Sequence, residues 1–187
     1  MIGQVQDLEI ELKKIKNYKE NMSKIIEPHG GKLINCFCTA DKVDTYKSEA
    51  INYTSWTLTN RQICDLELIL NGGFSPLDGF MDKENYNSVL NNNRLLDGTV
   101  WSIPIILDIK SEIADILNNG DKLALRDKEG YLIAILNVDD KWVYDKELEA
   151  NKVYDTTDIT HPGVRYLFEN GGDFCLGGQV IGVEQPH

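Results

Sequence analysis

Gly73-Phe74-Ser75-Pro76-Leu77-Asp78-Gly79-Phe80-Met81 gathers two aromatic residues, a proline and two glycines into nine positions. Glycine permits tight backbone, proline fixes φ and aromatic rings need a core to enter, so the stretch reads as a rigid, packed loop. It begins like a nucleophile elbow at Gly73-Phe74-Ser75. Leu77 nevertheless stands where that motif needs glycine, and Pro76 spoils its strand-to-helix turn, so Ser75 is not read as a nucleophile.

Working outward, Thr59 and Gln62 have the spacing of a capping box, which predicts a helix starting at Asn60. Ile63, Leu66, Ile69 and Leu70 would form its buried face, and Asn71-Gly72-Gly73 would end it. On the other side of the loop, a short helix is expected at 83–90, closed by Asn91-Asn92-Asn93. Residues 101–109 are rich in β-branched and aromatic side chains and read as strand, with Pro104 at an edge or bulge. Residues 111–118 suggest a helical turn. A hairpin is expected from 122–126 and 131–138, joined by Asp127-Lys128-Glu129-Gly130.

Toward the N-terminus, Pro28-His29-Gly30-Gly31 is a turn signal and 32–37 a short apolar run of strand length, where the domain is expected to start. Residues 40–54 carry little pattern beyond a short helix near Ser48–Ala50. Residues 139–158 hold seven acids and three lysines and are expected to cover a barrel as helix or loop, with Glu147, Glu149 and Lys152 on a solvated face. His161-Pro162-Gly163 starts a last helix through Phe168, proline suiting the first helical turn. A final strand is expected between Gly171-Gly172 and Gly177-Gly178. The fold class is α+β: a curled sheet or small barrel of short strands with inserted helices, in one domain over residues 25–187. Residues 1–24, with Leu8, Leu12 and Ile15 at helical spacing, form an amphipathic helix or tail.

Length and charge bound the function. A chain of 187 residues suits one core, and 42% hydrophobic residues are enough to build it. With 19 Lys+Arg against 30 Asp+Glu, the net charge of −11 repels phosphate backbones and anionic lipid, so neither nucleic acid nor membrane is an expected partner. No apolar run in the first residues has the length of a signal peptide or membrane span, and a cytoplasmic protein is expected. Cys36, Cys38, Cys64 and Cys175 form no C-x-x-C pair and are read as reduced thiols. Neither a Walker-type phosphate loop nor G-x-G-x-x-G is present. His29 and His161 read as turn and helix-start residues bonded to backbone. Arg61, a cation in the first turn of a helix where the dipole disfavours it, calls for an opposing carboxylate such as Asp65. No catalytic, cofactor or metal residues are assigned from these patterns.

Taken together, Pro28-His29-Gly30-Gly31, the 58–67 segment with Arg61 and Asp65, Gly73 to Met81, Trp101 to Ile105, Thr156-Thr157-Asp158, His161-Pro162-Gly163-Val164 and Leu176-Gly177-Gly178 resemble the N-terminal domain of ATP sulfurylase (sulfate adenylyltransferase). The resemblance covers about residues 25–187 and implies a PUA-like pseudo-barrel followed, in the family, by a catalytic nucleotidyltransferase domain. The complete enzyme makes adenosine 5′-phosphosulfate and pyrophosphate from Mg-ATP and sulfate. The Gln-x-Arg-Asn segment and the histidine-containing nucleotide motif that bind these substrates belong to that second domain, and neither occurs here. The implied role is structural and interdomain. Its expected partner is the catalytic domain, in cis or as a separate chain, and self-association into a homo-oligomer is a further expectation. His29, Gly30, Gly31, Arg61, Asp65, Gly73, Phe74, Ser75, Pro76, Leu77, Gly79, Phe80, Met81, His161, Pro162 and Gly163 are its structural or interdomain residues. The Gly73–Met81 loop is expected nearest the interdomain surface or packed internally. The competing readings are a free-standing PUA-like binding module and a regulatory protein docking through residues 7–16.

Overall fold

The computed structural model describes residues 26–186, so the amphipathic stretch at 1–24 lies outside the described residues, as does His187. Among the described residues, seven strands and six α-helices make a curled, mixed sheet with helices around it, the α+β architecture expected of a PUA-like fold. Its spine is β7 (Phe174–Gly182), a nine-residue strand with four antiparallel partners. The first half of β7 lies between β3 (Leu107–Ile109) and β6 (Asp140–Val143). From Gly178 onward it pairs with β2 (Gly79–Phe80) and then with β5 (Leu132–Asn137), and the sheet continues through β4 (Lys122–Arg126) to β1 (Thr54–Thr57), which runs parallel to β4. A strand that changes partners at a glycine pair is how a sheet turns a corner.

The main core lies inside this curl. Leu107, Ile109, Leu123, Leu125, Ile133, Leu136 and Leu176 from the sheet meet Leu66, Ile69 and Leu70 of α2 (Asn60–Asn71) and Tyr86, Val89 and Leu90 of α3 (Lys83–Asn92). A second cluster, Ala50, Ala124, Leu132, Ile135 and Val183, is covered by Val43 and Tyr46 of α1 (Val43–Glu49). Residues from β4 and β5 enter both clusters, which is why β5 is an almost unbroken apolar run. The helix boundaries follow from local chemistry. The Thr59–Gln62 capping box forms as predicted and Gly72, at φ 88°, ends α2. Asp82 caps α3, Asp145 caps α5 (Lys146–Tyr154), and His161 caps α6 (Pro162–Asn170) with Pro162 in its first turn.

Five expectations need correction. Residues 32–37 form no strand. Their polar groups bond elsewhere, Ile34 N to Ser75 Oγ and Cys36 N to the Leu70 carbonyl, and Phe37 makes a single parallel bridge to Gly182. Of residues 101–109 only 107–109 are strand. Ahead of them Trp101 N donates to Asn93 O, and the Trp101 indole donates to Ile103 O. Residues 140–143, read as covering structure, form β6 because β7 offers an unpaired edge, and 111–118 shorten to α4 (Ser111–Ala114). Glu149 is not solvated: it is buried at 2% exposure on the inner face of α5.

The Gly73–Met81 loop is packed, as its composition predicts. Ser75 is buried, donating its hydroxyl to Gly72 O at 2.7 Å and accepting Ile34 N at 2.9 Å, a turn-closing arrangement with no base beside it. The Ser75–Pro76 peptide is cis. Gly79, Phe80 and Met81 are buried, and a Cβ on Gly79 would collide with the Gly178 carbonyl of β7.

Candidate functional site

The motif residues from distant parts of the chain meet at one cleft of about 560 Å³, lined by His29, Arg61, Asp65, Phe74, residues 100–105 and Tyr154. Each wall has a local cause. His29 sits on a 3₁₀ turn at 29–31, and its Nε2 lies 2.8 Å from the Val100 carbonyl, which can only accept, so Nε2 carries the hydrogen. Its ring lies 5.9 Å from that of Trp101, and Phe74 meets Trp101 edge-on at 5.9 Å. Tyr154 ends α5 and lies 4.8 Å from the His161 ring. Gly163 makes this possible, because a Cβ there would stand 2.6 Å from the Tyr154 ring.

Arg61 and Asp65 lie one turn apart on α2, with Nε 3.6 Å from Oδ2, which supplies the carboxylate that the sequence called for. The Arg61 guanidinium also sits 5.2 Å above the Tyr166 ring. Burial opposes the Arg61 charge, but Asp65, Tyr144, Glu149 and Asp108 outweigh it and hold its pKa above the ordinary value. Burial raises the Asp65 pKa, Asp108 adds to the rise, and Arg61 works against it. Behind Arg61, burial raises the Glu149 pKa although the Tyr144 and Tyr86 hydroxyls and Arg61 favour its charged form. Glu149 Oε2, Tyr86 Oη and Trp142 Nε1 are buried without a hydrogen-bond partner among the described residues.

His161 and Pro162 are exposed at the start of α6, beside Tyr154, while Gly30 and Gly31 are exposed next to His29. From the Gly73–Met81 loop, Phe74 reaches the cleft; Ser75, Gly79, Phe80 and Met81 are buried, Pro76 and Leu77 are half-buried, and Gly73 is exposed. Sequence reasoning missed Tyr154 as a cleft residue, and it read Gln62 as a cap without its tie to β3. Gln62 is buried, accepts from Thr59 N and the Trp56 indole, and donates to Asp108 O and Oδ1, so the residue that caps α2 also ties it to β3. The four cysteines are free, and burial with the nearby Asp78 pushes the Cys36 thiol up to about 11, which makes it a poor nucleophile. Among the described residues no helix is long and apolar enough to cross a membrane, and no three His, Cys, Asp or Glu side chains are grouped to hold a metal ion.

The family model for the PUA-like domain matches residues 26–185. The sulfate adenylyltransferase of Eremothecium gossypii is 45% identical over 163 residues, covering 87% of this chain and 32% of that protein. That of Synechococcus sp. is 41% identical over 162 residues, covering 87% and 41%, and that of Saccharomyces cerevisiae 43% over 162 residues, covering 85% and 32%. A solved structure described as the hexameric APS kinase from Thiobacillus denitrificans superposes with a TM-score of 0.67 at 32% identity, covering 87% of this chain and 28% of that one. This chain thus spans roughly a third of the length of the curated relatives it matches. The chain belongs to the PUA-like domain family, and its matched region is the one it shares with sulfate adenylyltransferases.

Proposed function

We propose that this chain is the N-terminal domain of a sulfate adenylyltransferase, in which residues 25–187 pack against a catalytic portion of the same polypeptide and take no direct part in the chemistry. One observation carries the reading: motifs from four separate segments, joined by Tyr154, line a single cleft with exposed apolar residues at its mouth, in a chain that spans a third of its relatives. The relatives' reaction joins ATP and sulfate, both anions, with Mg²⁺ accompanying the nucleotide. A site for it must supply cations and donors to the phosphates and to the developing charge. Among the described residues Arg61 supplies the cleft's one guanidinium, it is engaged by Asp65, and two further carboxyl groups stand near it. That constellation does not suit a triphosphate, so the isolated chain is inactive. Sulfate-dependent pyrophosphate release from Mg-ATP by the purified chain tests this: no turnover above background is expected, and robust turnover would overturn the proposal.

A further inference from the structure

We propose that the cleft is a seat for a basic side chain, lysine or arginine, flanked by apolar residues and presented by the part of the polypeptide that lies outside this chain. The inference rests on reading the chain as one piece of a longer sulfate adenylyltransferase and names what its interdomain cleft recognises. Three independent features point to a cation. The first is the wall: Phe74, Trp101 and Tyr154 offer aromatic surfaces whose negative faces attract ammonium or guanidinium groups. The second is Asp65. Its side chain is 17% exposed, and among the described residues its one ionic contact is Arg61 Nε at 3.6 Å. A carboxylate held by one long ionic contact keeps lone pairs open toward the cleft, and an incoming basic group supplies donors to them.

The third feature is the balance of charge. Asp65, Asp108 and Glu149 all act on Arg61 electrostatically, so three carboxyl groups stand around one guanidinium and an entering anion meets their combined field. His29 offers no counterweight, since its N–H is committed to Val100 O. At the mouth, Val100 is 55% and Ile103 47% exposed, giving apolar neighbours of a basic residue something to cover. The chain as a whole carries −11, and the portion that handles ATP and sulfate has to bring the cations, so the two parts are complementary in sign.

Benzamidine, an aromatic ring bearing a cation, is the probe, with benzoate as its anionic counterpart, followed by ¹H–¹⁵N NMR at the Trp101 indole and the amides of residues 100–105. Benzamidine is expected to give saturable shifts there in the millimolar range, weakened about tenfold by Asp65→Asn, the loss of one charge-assisted contact. Benzoate binding more tightly at the same signals, or an unchanged affinity in a folded Asp65→Asn protein, would sink the cation assignment. If Asp65→Asn does not fold, Ile103→Lys keeps the test: an ammonium at the exposed mouth must abolish benzamidine binding, and unchanged binding overturns the assignment. The occupant is checked in the longer polypeptide, where the cleft should be closed to benzamidine. Binding there as strong as in the chain alone, or binding to the chain that requires removal of residues 1–24, would overturn the choice of partner. Pyrophosphate release reports separately on the underlying reading.

Discussion

Two buried polar side chains, each in the first half of its helix, behave in opposite ways. Gln62 and Glu149 are each 2% exposed. Gln62 uses its amide fully, joining the start of α2 to Trp56 and to β3. Replacing it by alanine should cost about 3 kcal/mol, a lost cap plus stranded partners at Trp56 and Asp108, read as a lower midpoint in urea unfolding. Glu149 is the opposite case, a carboxyl with an unpartnered oxygen. Its folded pKa lies above the unfolded value near 4.5, so the folded state holds a proton that the unfolded chain releases. Its contribution is therefore most favourable below that value and is lost as pH rises through the folded pKa. Glu149→Gln removes the dependence. The variant should melt close to the parent near pH 4 and increasingly above it toward neutrality; a gap independent of pH would contradict the assignment. The sequence hid this residue because Glu147, Glu149 and Lys152 have the look of a wet helix face, and only the packing of α3 against α5, with Tyr86 and Tyr144 beside the carboxyl, closes over the middle one.

Elements that rest on neighbours in sequence were legible, and those that rest on distant partners were not. The starts of α2 and α6 could be read from Thr59–Gln62 and His161-Pro162 because a cap is a local hydrogen bond. The β4–β5 hairpin was equally readable, with Gly130 at φ 90° as its turn requires. By contrast, Asp140-Lys141-Trp142-Val143 has the composition of a loop and becomes a strand only because β7 presents an edge. Residues 32–37 have the composition of a strand and find only one bridge. The Gly79–Gly178 crossing belongs to the same class: close approach of β2 and β7 is a property of the pair and neither strand alone announces it. Gly79→Ala should thus abolish cooperative folding, seen as loss of near-ultraviolet circular dichroism. Phe80→Ala next to it, which opens a cavity in the main core, should fold with a stability lower by about 3–5 kcal/mol in denaturant titration.

At the scale of the molecule, the sheet and the cleft differ in what holds them, and that difference can be measured. The β5 and β7 strands are buried in a core closed on both sides, so their amides should exchange with solvent only through global opening. The cleft wall at residues 100–103 is irregular and largely exposed, anchored by few backbone hydrogen bonds, and its amides should exchange early in the chain alone. The motifs lining this wall could be recognised in sequence, but their convergence could not, since His29, Arg61, Phe74, Trp101 and Tyr154 come together only once the sheet has curled. If the cleft seats the rest of the polypeptide, joining that portion should slow exchange at Val100, Trp101 and Ile103 while β5 and β7, already protected, serve as the internal reference for stability. Mass-spectrometric hydrogen exchange on the chain and on the longer polypeptide makes the comparison directly. Protection confined to residues 100–105 and the start of α2 places the interface on this face; unchanged uptake there, with protection arising at another surface, moves the interface away from the cleft.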